Sequence, residues 1–114
     1  MIDGWTREAA ASLRLTLTDV PAAQRVAGSP RTGAKSLGEF GGVNLGVWEM
    51  TPGMMSDTEA DEVFVVISGA ATVEFKDGPP IRLSPGDVVR LFAGQQTVWT
   101  VTETLRKVYM SLRS

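Results

Sequence analysis

Cysteine and histidine are both absent from these 114 residues. Their absence excludes disulfides, zinc fingers, thiol nucleophiles and every histidine-dependent triad. Long apolar runs are missing too. The longest, Val63 to Ile67, falls far short of the ~20 residues that cross a membrane. The start, Met1-Ile2-Asp3-Gly4-Trp5, lacks the basic segment and apolar stretch of a secretory leader. The expectation is a soluble, cytoplasmic protein. An excess of one charge is also lacking: 11 Lys plus Arg stand against 13 Asp plus Glu, for a net charge of −2. That balance argues against nucleic-acid and membrane partners. What is present is 43% hydrophobic residues with 12 Gly and 6 Pro, enough for a packed core interrupted by many turns. The length suits one domain of roughly 100–150 residues.

The chain reads as an irregular arm over residues 1–42 packed on a β core over residues 43–114. Residues 5–14 contain good helix formers, among them Glu8, Ala9, Ala10, Ala11 and Leu13, and predict a short helix. Val20-Pro21 ends it, and Pro21 is placed to open a single turn over residues 22–26. The glycine-rich stretch over residues 27–42 reads as loop with one short strand. From Val43 the period changes to two. Val43, Leu45 and Val47 share one face of a strand that Thr51-Pro52-Gly53 stops. Glu62 to Ser68 reads as a strand covered on both faces, ended by Gly69. Ala71, Val73 and Phe75 alternate with polar residues, and Asp77-Gly78 signals a hairpin into Ile81-Arg82-Leu83. Strands over residues 88–92, 97–103 and 105–112 complete an all-β set, the pattern of a sandwich or small barrel.

The order of these residues resembles the two linked motifs of the cupin superfamily. Gly53, Glu62-x6-Gly69, then Pro85-Gly86-Asp87-Val88 and Gly94 stand where those motifs carry Gly, Glu, Gly, Gly and Gly. Residues 46–49, 51–53 and 100–109 are similar to the branch that holds ureidoglycine aminohydrolase domains and the cupin of ethanolamine utilisation. The resemblance implies a single-domain, RmlC-like jelly-roll β-barrel. It also implies a place for a divalent metal, held by three histidines and a glutamate inside the barrel. Counting along the motifs puts the histidine positions at Ser56 and Thr58, or Met55 and Asp57, and at Thr97, so that only Glu62 survives of the four ligands. Hydroxyls do not replace imidazoles for iron, copper or nickel. No metal and no other cofactor is expected. Asp57, Glu59 and Asp61 mimic the start of a calcium loop, but Glu62 and Ser68 stand where glycine and a bidentate acid are needed, so a solvated acidic loop is the expectation.

With Thr97 at an inward position, Trp99 and Val101 also point inward, and Glu62 carries Phe64 and Val66 with it. A carboxylate beside Phe64 and Trp99 is poorly solvated, which suits a general base or ligand anchor; the alternative is a Glu62 at the mouth that meets an arginine or backbone amides. Trp48 is a candidate wall on either face of its strand. Lys107 and Tyr109, the one tyrosine, share a face of the last strand and offer a cation and a phenolic donor, or else Lys107 snorkels at a strand edge or pairs with Glu103. Met54-Met55 reads as a lip over the pocket or an interface. The candidate site is thus Glu62 and Tyr109 for catalysis, with Trp48, Phe64, Thr97, Trp99 and Lys107 for ligand binding. Three functions follow: a metal-free cupin binding a small molecule of unknown identity, linked to small nitrogen-compound or carboxylate metabolism; a metal-independent enzyme using Glu62 for proton transfer, hydrolysis or elimination; or an interaction module with its barrel filled by Phe64, Trp99 and Phe92. The first is preferred. An edge strand or the arm before Val43 is expected to pair two copies into a homodimer.

Overall fold

Nine strands form in the computed structural model, which describes residues 7–112. They are β1 (Thr18–Asp19), β2 (Arg25–Ala27), β3 (Arg31–Phe40), β4 (Val43–Met50), β5 (Gly53–Thr58), β6 (Glu62–Phe75), β7 (Ile81–Leu83), β8 (Val88–Leu91) and β9 (Gln96–Leu112). All belong to one antiparallel sheet that curls into a half-barrel. Its main path runs β1-β3-β4-β9-β5-β2, with β6 pairing β7, β8 and β9 off that path. No helix occurs among the described residues, so none is long and apolar enough to cross a membrane.

Two long strands carry the curl. β9 meets β5 along its first half, with Thr97 opposite Asp57, and β4 along its second, with Lys107 opposite Trp48. β6 lies against β9 over both halves. The register between β6 and β9 shifts three times between Val66 and Ala71. The sequence already shows the need for such a bulge: the inward set on β6 changes from Glu62, Phe64 and Val66 to Ala71, Val73 and Phe75. A five-residue step from 66 to 71 keeps one face only if one residue is extra. Gly69 therefore turns a corner instead of ending a strand, and residues 97–103 and 105–112 are one strand.

The core lies on the concave face, where Met50, Phe64, Val73, Leu91, Trp99 and Leu105 are fully buried. The convex face is covered differently. The Arg106 guanidinium pairs with Glu49 through Nε (2.9 Å) and Nη2 (2.6 Å), and Nη1 donates to the Ala10 carbonyl at 2.8 Å. Arg31 Nη2 donates to the Leu17 carbonyl at 2.8 Å. The arm is thereby laid across β3 and β9, and Val47 on the outer side of β4 is fully buried.

The arm explains two of three differences from the sequence reading. The helix expected over residues 5–14 is a single turn among its described residues, closed by Leu13 N–H on the Ala9 carbonyl at 2.9 Å. Arg106 takes the Ala10 carbonyl that a continuing helix would use. The stretch read as mostly loop holds the ten-residue β3, whose Gly33 leaves room for the Thr16 carbonyl oxygen of the arm, which a Cβ would overlap. β5, read only as a stop and a lip, is a strand, and its Met55 is buried opposite Trp99.

Candidate functional site

Cross-strand pairing puts the candidate residues on one concave surface. Lys107 stands opposite Trp48 on one side and Val66 on the other, and Tyr109 lies between Gly46 and Phe64. Directly opposed residues of a sheet share a face. Trp48, Phe64, Lys107 and Tyr109 therefore point the same way, and Thr97 and Trp99 continue the row on β9. Gly46 makes room for the phenol, since a Cβ there would overlap the Tyr109 ring.

The centre of this surface is an ion pair inside an aromatic enclosure. Lys107 Nζ donates to Glu62 Oε2 at 2.7 Å, with the two side chains 6% and 15% exposed. The ammonium lies 4.3 Å from the Phe64 ring centre, 4.7 Å from Trp48 and 4.8 Å from Trp99. Trp99 holds the enclosure together, with its ring centre 5.6 Å from Trp48 and 5.7 Å from Phe64. Glu62 thus meets a lysine, where the sequence reading offered an arginine or amides, and Lys107 is not paired with Glu103.

Above this centre stands a second carboxylate that sequence reasoning passed over. Glu59 Oε2 accepts the Thr97 hydroxyl at 2.6 Å and Trp99 Nε1–H at 3.0 Å. Asp57, inward on β5, accepts Thr58 N–H at 2.9 Å and Gln24 Nε2–H at 3.4 Å. The run read as a solvated acidic loop is therefore divided: Asp57 and Glu59 face in, and Asp61 faces out to Arg90 at 3.2 Å. The signal for Asp57 was present, because it falls at one of the counted histidine positions. A linear reading marks Glu59 only as one acid of that run, and its inward place depends on a turn tied to Gln95 and Gly94.

Burial is the main cause, and the nearby Glu59 a lesser one, of an Asp57 carboxyl held above its ordinary value of 3.8. Burial, then the Glu62 carboxylate, also raises the Tyr109 phenol, against a hydrogen bond from Asn44. A carboxyl with a raised native pKa binds its proton more tightly folded than unfolded, so stability falls as pH rises from the ordinary Asp range through the raised value. Asp57→Asn is accordingly expected to be more stable than wild type at neutral pH, with the gap closing as acid is added. Urea titrations at pH 7 and pH 3 measure it; equal stability at both would show that Asp57 carries no such strain.

A cleft of about 770 Å³ opens at this end of the half-barrel, lined by Gln24, Ser56, Asp57, Phe75, Gln96 and Thr97 among others. Ser56, Thr58, Glu74, Lys76, Gln96 and Val98 of its lining alternate with the inward Asp57, Phe75 and Thr97, so the cleft runs around the strand ends and lies neither over the concave row nor at the Lys107 ammonium. Phe92, expected to fill the interior, is half exposed and lies beneath Arg90, whose Cζ is 4.0 Å from the ring centre. The concave face is thus neither an empty barrel nor one packed by the three rings named from sequence.

The donor set implied for a metal does not fit this geometry. Glu62 is engaged by Lys107, Thr97 by Glu59, and no three Asp or Glu side chains converge to hold an ion among the described residues.

Comparison with known proteins gives one family and one fold. The sequence model of the EutQ-like cupin domain matches residues 37–109. No curated protein shows significant similarity to the chain. Among solved structures, a protein of unknown function from Pseudomonas syringae pv. tomato superposes with a TM-score of 0.74 at 24% identity, over 87% of this chain and 44% of that one. The EutQ protein of Clostridium difficile gives a TM-score of 0.74 at 20% identity, over 98% of this chain and 90% of its own. A putative ethanolamine utilization protein from Salmonella typhimurium gives 0.64 at 15% identity, over 89% and 97%. At these identities the likeness speaks for the fold.

Proposed function

We propose a function from a plain premise: the chain belongs to the family of EutQ-like cupin domains. It acts as a binding protein for a small nitrogen compound or small carboxylate, bound without a metal ion. One observation carries this reading. Asp57, Glu59, Glu62, Lys107 and Tyr109 converge on a concave face that apolar side chains could fill. A buried ion pair gives little or no net stability over a hydrophobic substitute, and crowded carboxylates lose stability. Side chains kept in such an arrangement mark a working site. The name of the Salmonella relative, ethanolamine utilization, supports a small amine among the ligands.

The test is a thermal-shift screen of short-chain amines and short-chain carboxylates. One class raises the melting temperature in proportion to the logarithm of its concentration, as ligand linkage requires, and Asp57→Asn, at the edge of the cleft, weakens the response. No shift from either class up to millimolar concentration would sink the reading.

A second reading rests on the grouping of Tyr109, Glu62 and Lys107 and on the phenol held in its protonated form. A metal-independent enzyme would use Glu62 as base and Tyr109 as acid in proton transfer, hydrolysis or elimination. Under this reading Glu62→Gln abolishes turnover of the bound ligand while its affinity changes little.

We also propose a homodimer formed through the segment before residue 43. In it Phe40 stands 84% exposed, beside an apolar groove that includes Val43, Met110 and the half-exposed Leu112. Contiguous exposed apolar surface of this kind commonly serves association. Sedimentation at micromolar concentration is expected to give twice the chain mass of 12.2 kDa, and Phe40→Asp to give a monomer. A monomeric wild type would refute the pairing.

A further inference from the structure

A ligand at the mouth does not explain why the centre of the concave face holds an ammonium. The Lys107 stem runs inward from β9 and delivers Nζ to a point 4.3–4.8 Å from three ring centres and 2.7 Å from a carboxylate oxygen. Ring faces attract a cation within ~6 Å of their centres, and several rings around one cation form the aromatic cage by which proteins recognise alkylammonium groups. A carboxylate at one side supplies the charge-assisted hydrogen bond that a primary ammonium requires. Every part of an ammonium receptor is therefore present, and its occupant comes from the same chain. Glu62, the one residue left at a motif metal-ligand position, is the carboxylate engaged.

We propose that Trp48, Phe64, Trp99 and Glu62 form a built-in ammonium site that Lys107 fills from within. The site's chemical class of ligand is a primary alkylammonium of three carbons: Lys107→Ala removes everything beyond Cβ, and the missing fragment is n-propylammonium. This inference is independent of whether the mouth cleft binds a metabolite, because it concerns the centre and is tested there.

The experiment is chemical rescue of Lys107→Ala, followed by thermal melting and by calorimetric titration at neutral pH. The probes are n-propylammonium chloride, n-propanol, and sodium chloride at matched ionic strength. The variant is expected to melt below wild type, and n-propylammonium to raise its melting temperature saturably while leaving wild type unmoved. Propanol, which fills the same volume without charge, is expected to do much less. Adding Glu62→Gln to Lys107→Ala is expected to reduce the ammonium affinity about tenfold or more, in line with the ~1.5–3 kcal/mol of a hydrogen bond to a charged group.

If Lys107→Ala does not fold, Lys107→Met decides, because it keeps the volume of the stem. Lys107→Met is expected to be less stable than Lys107→Met combined with Glu62→Gln, since the single change leaves a carboxylate buried without its partner. Propanol rescuing as well as n-propylammonium, or Lys107→Met matching wild type, would overturn the proposal and leave the centre as apolar packing with a stray charge.

Discussion

Trp99→Ala is expected to lose about 3–5 kcal/mol of stability, the range for removing a large buried aromatic. For a domain near this size about 4 °C of melting temperature accompanies each kcal/mol, so the transition should fall by well over ~10 °C. The side chain is 1% exposed, and its ring touches both Trp48 and Phe64. Its Nε1–H reaches Glu59 Oε2 at 3.0 Å and Thr97 Oγ1 at 3.1 Å, so the change also removes a donor from a partly buried carboxylate. Trp99→Phe separates the two contributions. It keeps a six-membered ring and loses the donor together with the pyrrole half of the indole, for an expected loss of roughly 1–3 kcal/mol. Denaturant titration of the two variants is the measurement. A loss below that of the phenylalanine variant would mean that neighbouring strands collapse into the space, and that Trp99 is not the post around which the enclosure is built.

Gly69→Ala is the second large effect, and its cause is backbone rather than packing. Gly69 has φ of +94°, and a Cβ there would overlap the Thr104 carbonyl oxygen and stand 2.7 Å from Leu105 Cα. Neither is the movable end of a side chain. The strand crossing at the corner must open, at an expected cost of more than ~3 kcal/mol once backbone strain of ~1–3 kcal/mol is joined by the overlap. Gly94→Ala supplies the control. Its φ of +89° is nearly the same, and no atom stands within 4 Å of the added Cβ. Its loss is expected to be roughly 1 kcal/mol, the strain alone. Equal losses at the two positions would show that the corner yields easily.

The strands that were legible from sequence are those whose two faces differ. β4 was bounded correctly because Val43, Leu45 and Val47 alternate with other residues and Thr51-Pro52-Gly53 follows. The β6–β7 hairpin was legible because Asp77-Gly78 is a local turn signal, and Val73 does pair with Ile81. β3 was not legible. Its glycines and polar residues carry no alternation of their own, and its strand state comes from β4 on one side and the overlying arm. The arm's helix failed for a related reason: helix propensity is a local preference of tenths of a kcal/mol per residue, smaller than what a buried arginine gains by taking a backbone carbonyl.

The candidate site divides along the same line. Alternation along single strands already placed Thr97 with Trp99, Phe64 with Glu62, and Lys107 with Tyr109, since side-chain parity is a property of one strand. The zero count of histidine and cysteine likewise settled, from composition alone, that imidazole and thiolate ligands are missing. What only the tertiary structure decided is which of these faces meet. The register of β9 against β4 and β6 brings Lys107 to Trp48 and to a carboxylate 45 positions earlier, and the turn before β6 folds Glu59 back onto Thr97 and Trp99. Register depends on bulges and on strand pairs far apart in the chain. An ammonium and three rings therefore become one site only when the sheet has curled.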